Sequence, residues 1–234
     1  MFKNILIFLL LATLSGMAYG QKLSFGLRSG VNYSNQTWHY HQFMEPTVGL
    51  LGEESRYRTK YATGFKLGVF ADIGITRFFS VMPGLLYNVK GMRYNLLYYN
   101  PDQPPHFFKE RNKVSLNYLS FDVPLKFKIN TAHWVPYILA GVRVDRLLGY
   151  KQSIDKKYFE FLGPGFEGYK EIYTDLNKIN IGLLTAIGVE RKLSPGMNVF
   201  LEVEYNVNRT SDKPWITINN SLFALNGGIR WMKN

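Results

Sequence analysis

Ionisable residues recur at alternate positions along otherwise apolar segments of this chain. Arg28, Lys66, Lys90, Lys126, Lys128, Arg143 and Arg230 are the cations; Asp72, Asp122, Asp145, Glu190, Glu202 and Glu204 are the anions. Two kinds of chemistry are open to such a set. Carboxylates sharing a row, such as Glu202 and Glu204, suit acid–base work or a proton or ion path. Carboxylates facing cations suit a packed network of ion pairs and hydrogen bonds. With opposite charges nearly balanced and no route for a substrate, the structural role is the expectation, and no catalytic residue is assigned.

The histidines offer less. His39 and His41 form a His-x-His with Glu45 nearby, and in extended backbone the two rings would share a face. Two or three loose ligands on one loop fall short of a metal centre, so neither a metal nor any other cofactor is expected. His106 and His133 are not placed beside a Ser or Asp in a strand, so the chain shows no nucleophile–base pair of the kind hydrolysis requires.

The elements that position the charges follow from their spacing. In the segment 65–73, Phe65, Leu67, Val69, Ala71 and Ile73 form one row, while Lys66, Gly68 and Asp72 sit in the other. Side chains alternate across a strand, so each such segment has one oily and one polar face. The pattern recurs over approximately Leu23–Tyr33, Gly64–Ile75, Phe79–Tyr94, Asn117–Ile129, Pro136–Leu148, Ile179–Arg191, Val199–Asn208 and Ile218–Trp231. Each is long enough to cross a bilayer as a tilted strand, which takes about 9–11 residues. The predicted fold is all-β: an eight-stranded antiparallel up-and-down transmembrane β-barrel, with lipid outside and a polar lumen filled by side chains. A soluble barrel of lipocalin type would turn its charge-free rows inward, opposite to this parity.

The connections carry a second regularity. Thr76–Phe78, Asn130–Val135 and Lys192–Asn198 are short. Ser34–Thr63, Asn95–Leu116 and Gly149–Lys178 are long, and Arg209–Thr217 is intermediate. Short turns on one side and long loops on the other are the habit of outer-membrane barrels, with the turns periplasmic. Pro83 and Pro124 fall inside strands of a closed barrel and predict bulges or lost pairing. Arg93, Asn117 and Arg146 break the parity and are read as strands rising above the membrane. Tyr33, Tyr87, Tyr94, Trp134, Tyr150, Tyr205, Trp215 and Trp231 fall near strand ends, as interfacial girdles do. Trp38, Tyr40, Phe107 and Phe108 are assigned to loops, where they could stack on a ligand.

Composition agrees. Residues 1–20 have a positive start at Lys3, a short apolar run and Ala18-Tyr19-Gly20, and are read as a signal peptide, leaving 21–234 as one barrel domain. The chain contains no Cys, which excludes a disulfide framework and a lipoprotein anchor. The net charge of +11 is scattered rather than gathered into a stripe; with export, that argues against nucleic acid as a partner and for attraction to lipid headgroups.

Three stretches carry a resemblance. Val81-Met82-Pro83-Gly84-Leu85-Leu86-Tyr87-Asn88-Val89-Lys90-Gly91, Tyr118-Leu119-Ser120-Phe121-Asp122-Val123-Pro124-Leu125 and Pro136-Tyr137-Ile138-Leu139-Ala140-Gly141 resemble the PorT-like outer-membrane β-barrel family of Bacteroidetes. The resemblance implies an eight-stranded barrel in the bacterial outer membrane. Most members of that family have no assigned activity; its namesake assists a secretion system, and no motif here singles out that member. The functional expectation is a non-enzymatic barrel embedded in outer-membrane lipid, with a structural role or protein partners met through the long loops. A narrow ion or small-solute channel and a membrane-embedded hydrolase are the alternatives.

Overall fold

The computed structural model describes residues 23–40, 58–99, 107–129, 134–154, 176–213 and 216–232. The strands are Leu23–Tyr40, Arg58–Gly74, Phe79–Val81 continuing as Gly84–Tyr99, Phe107–Lys128, Trp134–Ile154, Ile179–Ser194, Met197–Lys213 and Ile216–Met232. The two segments of the third strand flank a short break, so eight strands form the wall. Each is antiparallel to its neighbours in sequence, and the first closes on the eighth from Ser24 opposite Met232 to Tyr40 opposite Ile216. Closure leaves no strand edge without a partner, the condition for placing a sheet in hydrocarbon.

Burial follows the two rows. Along Ile179–Ser194 exposed and buried residues alternate from the first position, with Ile181, Leu183 and Ile187 outward at 66, 64 and 69 % exposure and Asn180 inward at 2 %. An apolar outer face that continues around the whole barrel far exceeds what a water-soluble monomer exposes, and it fits acyl chains. Aromatic pairs bound the belt. Tyr33 stacks on Tyr61 and Tyr205 packs on Phe223 towards the loop end, at 4.9 and 4.7 Å between centroids; Phe79 packs on Phe127 at the turn end, at 5.1 Å. Tyr87, Trp134, Tyr150 and Trp231 are exposed as well, whereas the side chains of Tyr94 and Trp215 lie outside those described.

The strands are longer than the polarity pattern predicted. Those expected to end at Tyr33, Tyr94 and Leu148 run on to Tyr40, Tyr99 and Ile154, and those expected to start at Gly64 and Asn117 start at Arg58 and Phe107. Trp38, Tyr40, Phe107 and Phe108 therefore belong to strands and not to loops. The reason is that backbone pairing needs only a neighbouring strand, so the ladder continues above the depth at which side chains stop alternating between oil and charge. The strands do continue past Arg93, Asn117 and Arg146. Arg93 and Arg146 are exposed, and Asn117 is half-buried beside a register shift at Asn117/Tyr118.

The two prolines share one defect. Met82-Pro83 is the break in the third strand, flanked by Val81 opposite Leu125 and Gly84 opposite Asp122, so Pro124 lies beside it. Around the break, Met82 N–H donates to Pro124 O and Ala71 N–H to Pro83 O, at 2.9 and 2.8 Å. Pro124 itself stays inside an unbroken strand opposite Gly141, so the bulge expected there is absent. The N–H that Pro124 lacks would have pointed at the gap, where no ladder bond is lost. At the turn end, Pro195-Gly196 closes its hairpin with Gly196 at φ 130°, a conformation that favours glycine.

Candidate functional site

Each row of inward side chains brings charge to the lumen at defined heights. Nearest the turns, the second, fourth, sixth and eighth strands contribute Asp72, Lys126, Glu190 and Arg230. Arg230 donates to Asp72 Oδ2 at 2.5 Å and to Glu190 Oε2 at 2.8 Å. Lys126 is ion-paired to Glu190 and lies 3.5 Å from Asp72 Oδ2. The four charges close a cycle in which every cation touches both carboxylates.

Above this quartet lies an oily layer of Phe70, Met82, Tyr137, Leu139, Ala186 and Phe200. Phe70 meets Phe200 edge-on at 5.5 Å, and the Arg28 guanidinium sits 5.2 and 5.8 Å from the two ring centroids. Lumen glycines make room for the rings: a Cβ on Gly26 would come within 2.3 Å of Phe70, and one on Gly188 within 2.4 Å of Tyr137. Phe70, Met82 and Tyr137 lie on the inward rows with the charges, so the side-chain-filled lumen holds an apolar layer between its charged ones. An eight-stranded interior holds side chains and little else, and rings fill the space that glycines leave.

The middle of the lumen is a denser network. Arg143 donates through Nε and Nη2 to both oxygens of Asp122, at 2.6 and 2.7 Å, and through Nη1 to Glu204 at 2.7 Å. Lys66 pairs with the other Glu204 oxygen. Arg28 lies 3.2 Å from Glu202 and 3.8 Å from Asp122. Glu202 also accepts from the Tyr137 hydroxyl and from Asn226, both at 2.9 Å. Higher still, Asp145 accepts from Lys90, Ser120 and Asn208 at 2.5, 2.5 and 2.6 Å.

All twelve of the residues assigned to the lumen network from sequence are buried there: six cations and six carboxylates, each in an ion pair. Lys128 is only half-buried, at the turn end. Charges removed from water are tolerated only when paired and hydrogen-bonded. A one-to-one balance meets that condition without a bound counter-ion. Glu202 and Glu204 face arginine, lysine, tyrosine and asparagine rather than a free channel, which suits them poorly to proton abstraction. His39 lies at the backbone position opposite Thr217; its side chain, and His41, Glu45, His106 and His133, lie outside the described residues.

Sequence parity passed over the loop-end part of the interior. Met92, Val114, Leu116, Tyr118, Ile218 and Leu222 are buried there, at 2 % exposure or less. They share parity with Lys90, Ser120 and Asn226, so continuing those rows would have found them. They close the lumen above the charges with apolar groups.

A family model described as "Outer membrane protein beta-barrel domain" matches residues 17–211. No curated protein matches the chain. Among solved structures it is similar to OprG of Pseudomonas aeruginosa, at 9 % identity over 90 % of this chain and 96 % of that one, with a TM-score of 0.48. It is also similar to Neisserial surface protein A, at 15 % identity over 88 and 96 % with a TM-score of 0.42. A third is the outer membrane protease OmpT of Escherichia coli, at 11 % identity over 91 and 96 % with a TM-score of 0.39. With the family match spanning most of its length, the chain belongs to the outer membrane protein beta-barrel domain family, and its place is the bacterial outer membrane.

Proposed function

We propose that this protein is a non-enzymatic outer-membrane barrel whose lumen is a structural core and whose loop end meets partners. The observation that carries the reading is the internal charge balance, six cations against six carboxylates, each already paired. A conducting pore needs charges that a passing ion can engage. Here each is bound to another side chain, one oily layer separates the turn-end quartet from the central network, and apolar groups close the lumen at the loop end. A hydrolase would need a nucleophile and base side by side, and the described carboxylates are all committed to cations.

On this reading residues 21–234 form the barrel after removal of a signal peptide at 1–20, and protein partners are met through the connections above the long strands. Kinship with the PorT-like barrels of Bacteroidetes, and assistance to secretion, are the finer form of the proposal. It is supported by the segments around Pro83, Pro124 and Tyr137. The test is single-channel recording of the purified barrel in planar bilayers. Silence in the wild type, with steady conductance appearing in Arg143→Ala, supports a plugged lumen. Steady wild-type conductance that changes in Arg143→Ala or Glu202→Gln makes it a channel.

A further inference from the structure

Charge in this barrel is divided by sign as well as by side. Among the described side chains, all six carboxylates face the lumen, and the charges on the exterior are cationic. At the turn end these are Arg77, Arg191 and Lys192, with the Arg77 and Arg191 guanidinium groups 4.5 and 5.0 Å from the rings of Phe78 and Trp134. The loop end is different. Arg93 and Lys113 stand directly opposite each other on the third and fourth strands. Lys151, on the fifth, pairs with Ser115 and is the diagonal neighbour of Lys113. Met92 and Val114, next in sequence to Arg93 and Lys113, are fully buried, so those two cations point away from the lumen. Arg93 and Lys151 are exposed and Lys113 is half-exposed.

Like charges directly opposite on a sheet repel, at a spacing of about 5 Å. Lys60 of the second strand, also exposed, stands directly opposite Arg93 on its other side, so four strands contribute to one such cluster, and no described carboxylate lies on the same wall. The cost falls if an anion is bound. Height says which anion. Arg146 pairs with Leu119, which at 36 % exposure is the last outward apolar residue of the fourth strand among those described. Lys113 lies six residues further along, about 20 Å at the rise of a strand and about 15 Å in height for a tilt near 40°. The cations from Arg146 to Lys113 therefore span the layer immediately outside the hydrocarbon, on the lateral wall that continues from the lipid belt. Half-buried Ser115 and Asn117 lie between them and add hydrogen-bonding groups.

We infer that Arg93, Lys113 and Lys151 form a binding ledge for the phosphorylated headgroup of an outer-leaflet lipid. Arginine supplies a fork for two phosphate oxygens and the lysines supply compact charges, the combination that grips phosphate. The inference rests on the reading that the loop end faces outward, and it goes beyond general attraction to headgroups by naming one site.

The full chain, folded into phosphatidylcholine vesicles containing phosphorylated lipid A or its dephosphorylated form, provides the test. Lipid retained by the extracted barrel is counted by mass spectrometry. The wild type is expected to prefer the phosphorylated lipid. Arg93→Gln, Lys113→Gln and Lys151→Gln should each weaken that preference roughly fivefold, and Arg191→Gln/Lys192→Gln on the opposite rim should leave it intact. Equal retention of the two lipids, or an unchanged preference in all three single variants, overturns the ledge. Displacement of the lipid by excess inorganic phosphate also overturns it, because the site would then take a free ion. Heat-modifiable gel mobility verifies that each variant has folded. A wild type that does not insert at all defeats the membrane reading instead and is distinguishable on the same gel.

Discussion

Arg143 and Asp122 form a two-pronged pair, with Nε and Nη2 of one at 2.6 and 2.7 Å from the two oxygens of the other, and both side chains are fully buried. They lie on adjacent strands in direct register. Arg143 has a third contact, Nη1 to Glu204, which reaches across from the seventh strand. The guanidinium therefore joins one wall of the barrel to another, and its removal leaves two carboxylates without their strongest partner.

Arg143→Met should accordingly destabilise the barrel by about 3–5 kcal/mol, because uncompensated buried charge costs more than the pair contributes. Urea unfolding of the reconstituted protein, followed by the loss of its heat-modifiable gel shift, measures this. Adding Asp122→Asn should restore part of the loss, since one orphaned charge is then neutral. A double variant no more stable than the single one would show that the fork is not where the energy lies.

The two rows can be compared directly on the sixth strand. Leu183 is 64 % exposed and Asn180 is 2 % exposed. Leu183→Arg should impair insertion by roughly 2–4 kcal/mol if it sits at mid-membrane, whereas Asn180→Ser should be mild. Folding yield into vesicles reads both. Equal tolerance at the two sites would contradict the assignment of lipid and lumen faces.

Gly188 lies beneath the Tyr137 ring, and a Cβ there would meet Cζ at 2.4 Å. Gly188→Ala should push the ring from its 2.9 Å hydrogen bond to Glu202, at a cost of about 1–3 kcal/mol. In a Tyr137→Leu background the same substitution should be close to neutral, because the space is already open. Thermal midpoints of the four proteins form the cycle that checks this.

Gly141 presents a harder obstacle. A Cβ on it would come within 2.3 Å of Pro124 Cα, and backbone cannot swing aside as a ring can. Gly141→Ala should therefore destabilise at least as much as Gly188→Ala and find no rescue from Pro124→Ala, which leaves Cα in place. Rescue by Pro124→Ala would show that the proline ring, rather than the backbone, sets the spacing.

Much of this molecule was legible in the residue order, and the limits have physical causes. The eight apolar–polar segments were found because alternation across a strand is a local property of the chain. Their ends were misjudged at Tyr33, Tyr94 and Leu148, since side-chain polarity reports where lipid stops and not where backbone pairing stops. Pro124 was expected to disturb its strand and does not. Its silence depends on Pro83, 41 residues earlier by their numbering, breaking the adjacent strand at the same height.

By itself, the sequence determined which residues face inward and the sign of their charge, because a two-residue period needs nothing beyond the pleat. Only the tertiary structure decided the partners. Arg28 finds Glu202 across 174 positions of sequence and Lys66 finds Glu204 across 138, and neither pairing is implied by parity. The stagger between strands and the diameter of the closed ring set the height at which two rows meet. Those quantities belong to the whole barrel, and no single segment contains them.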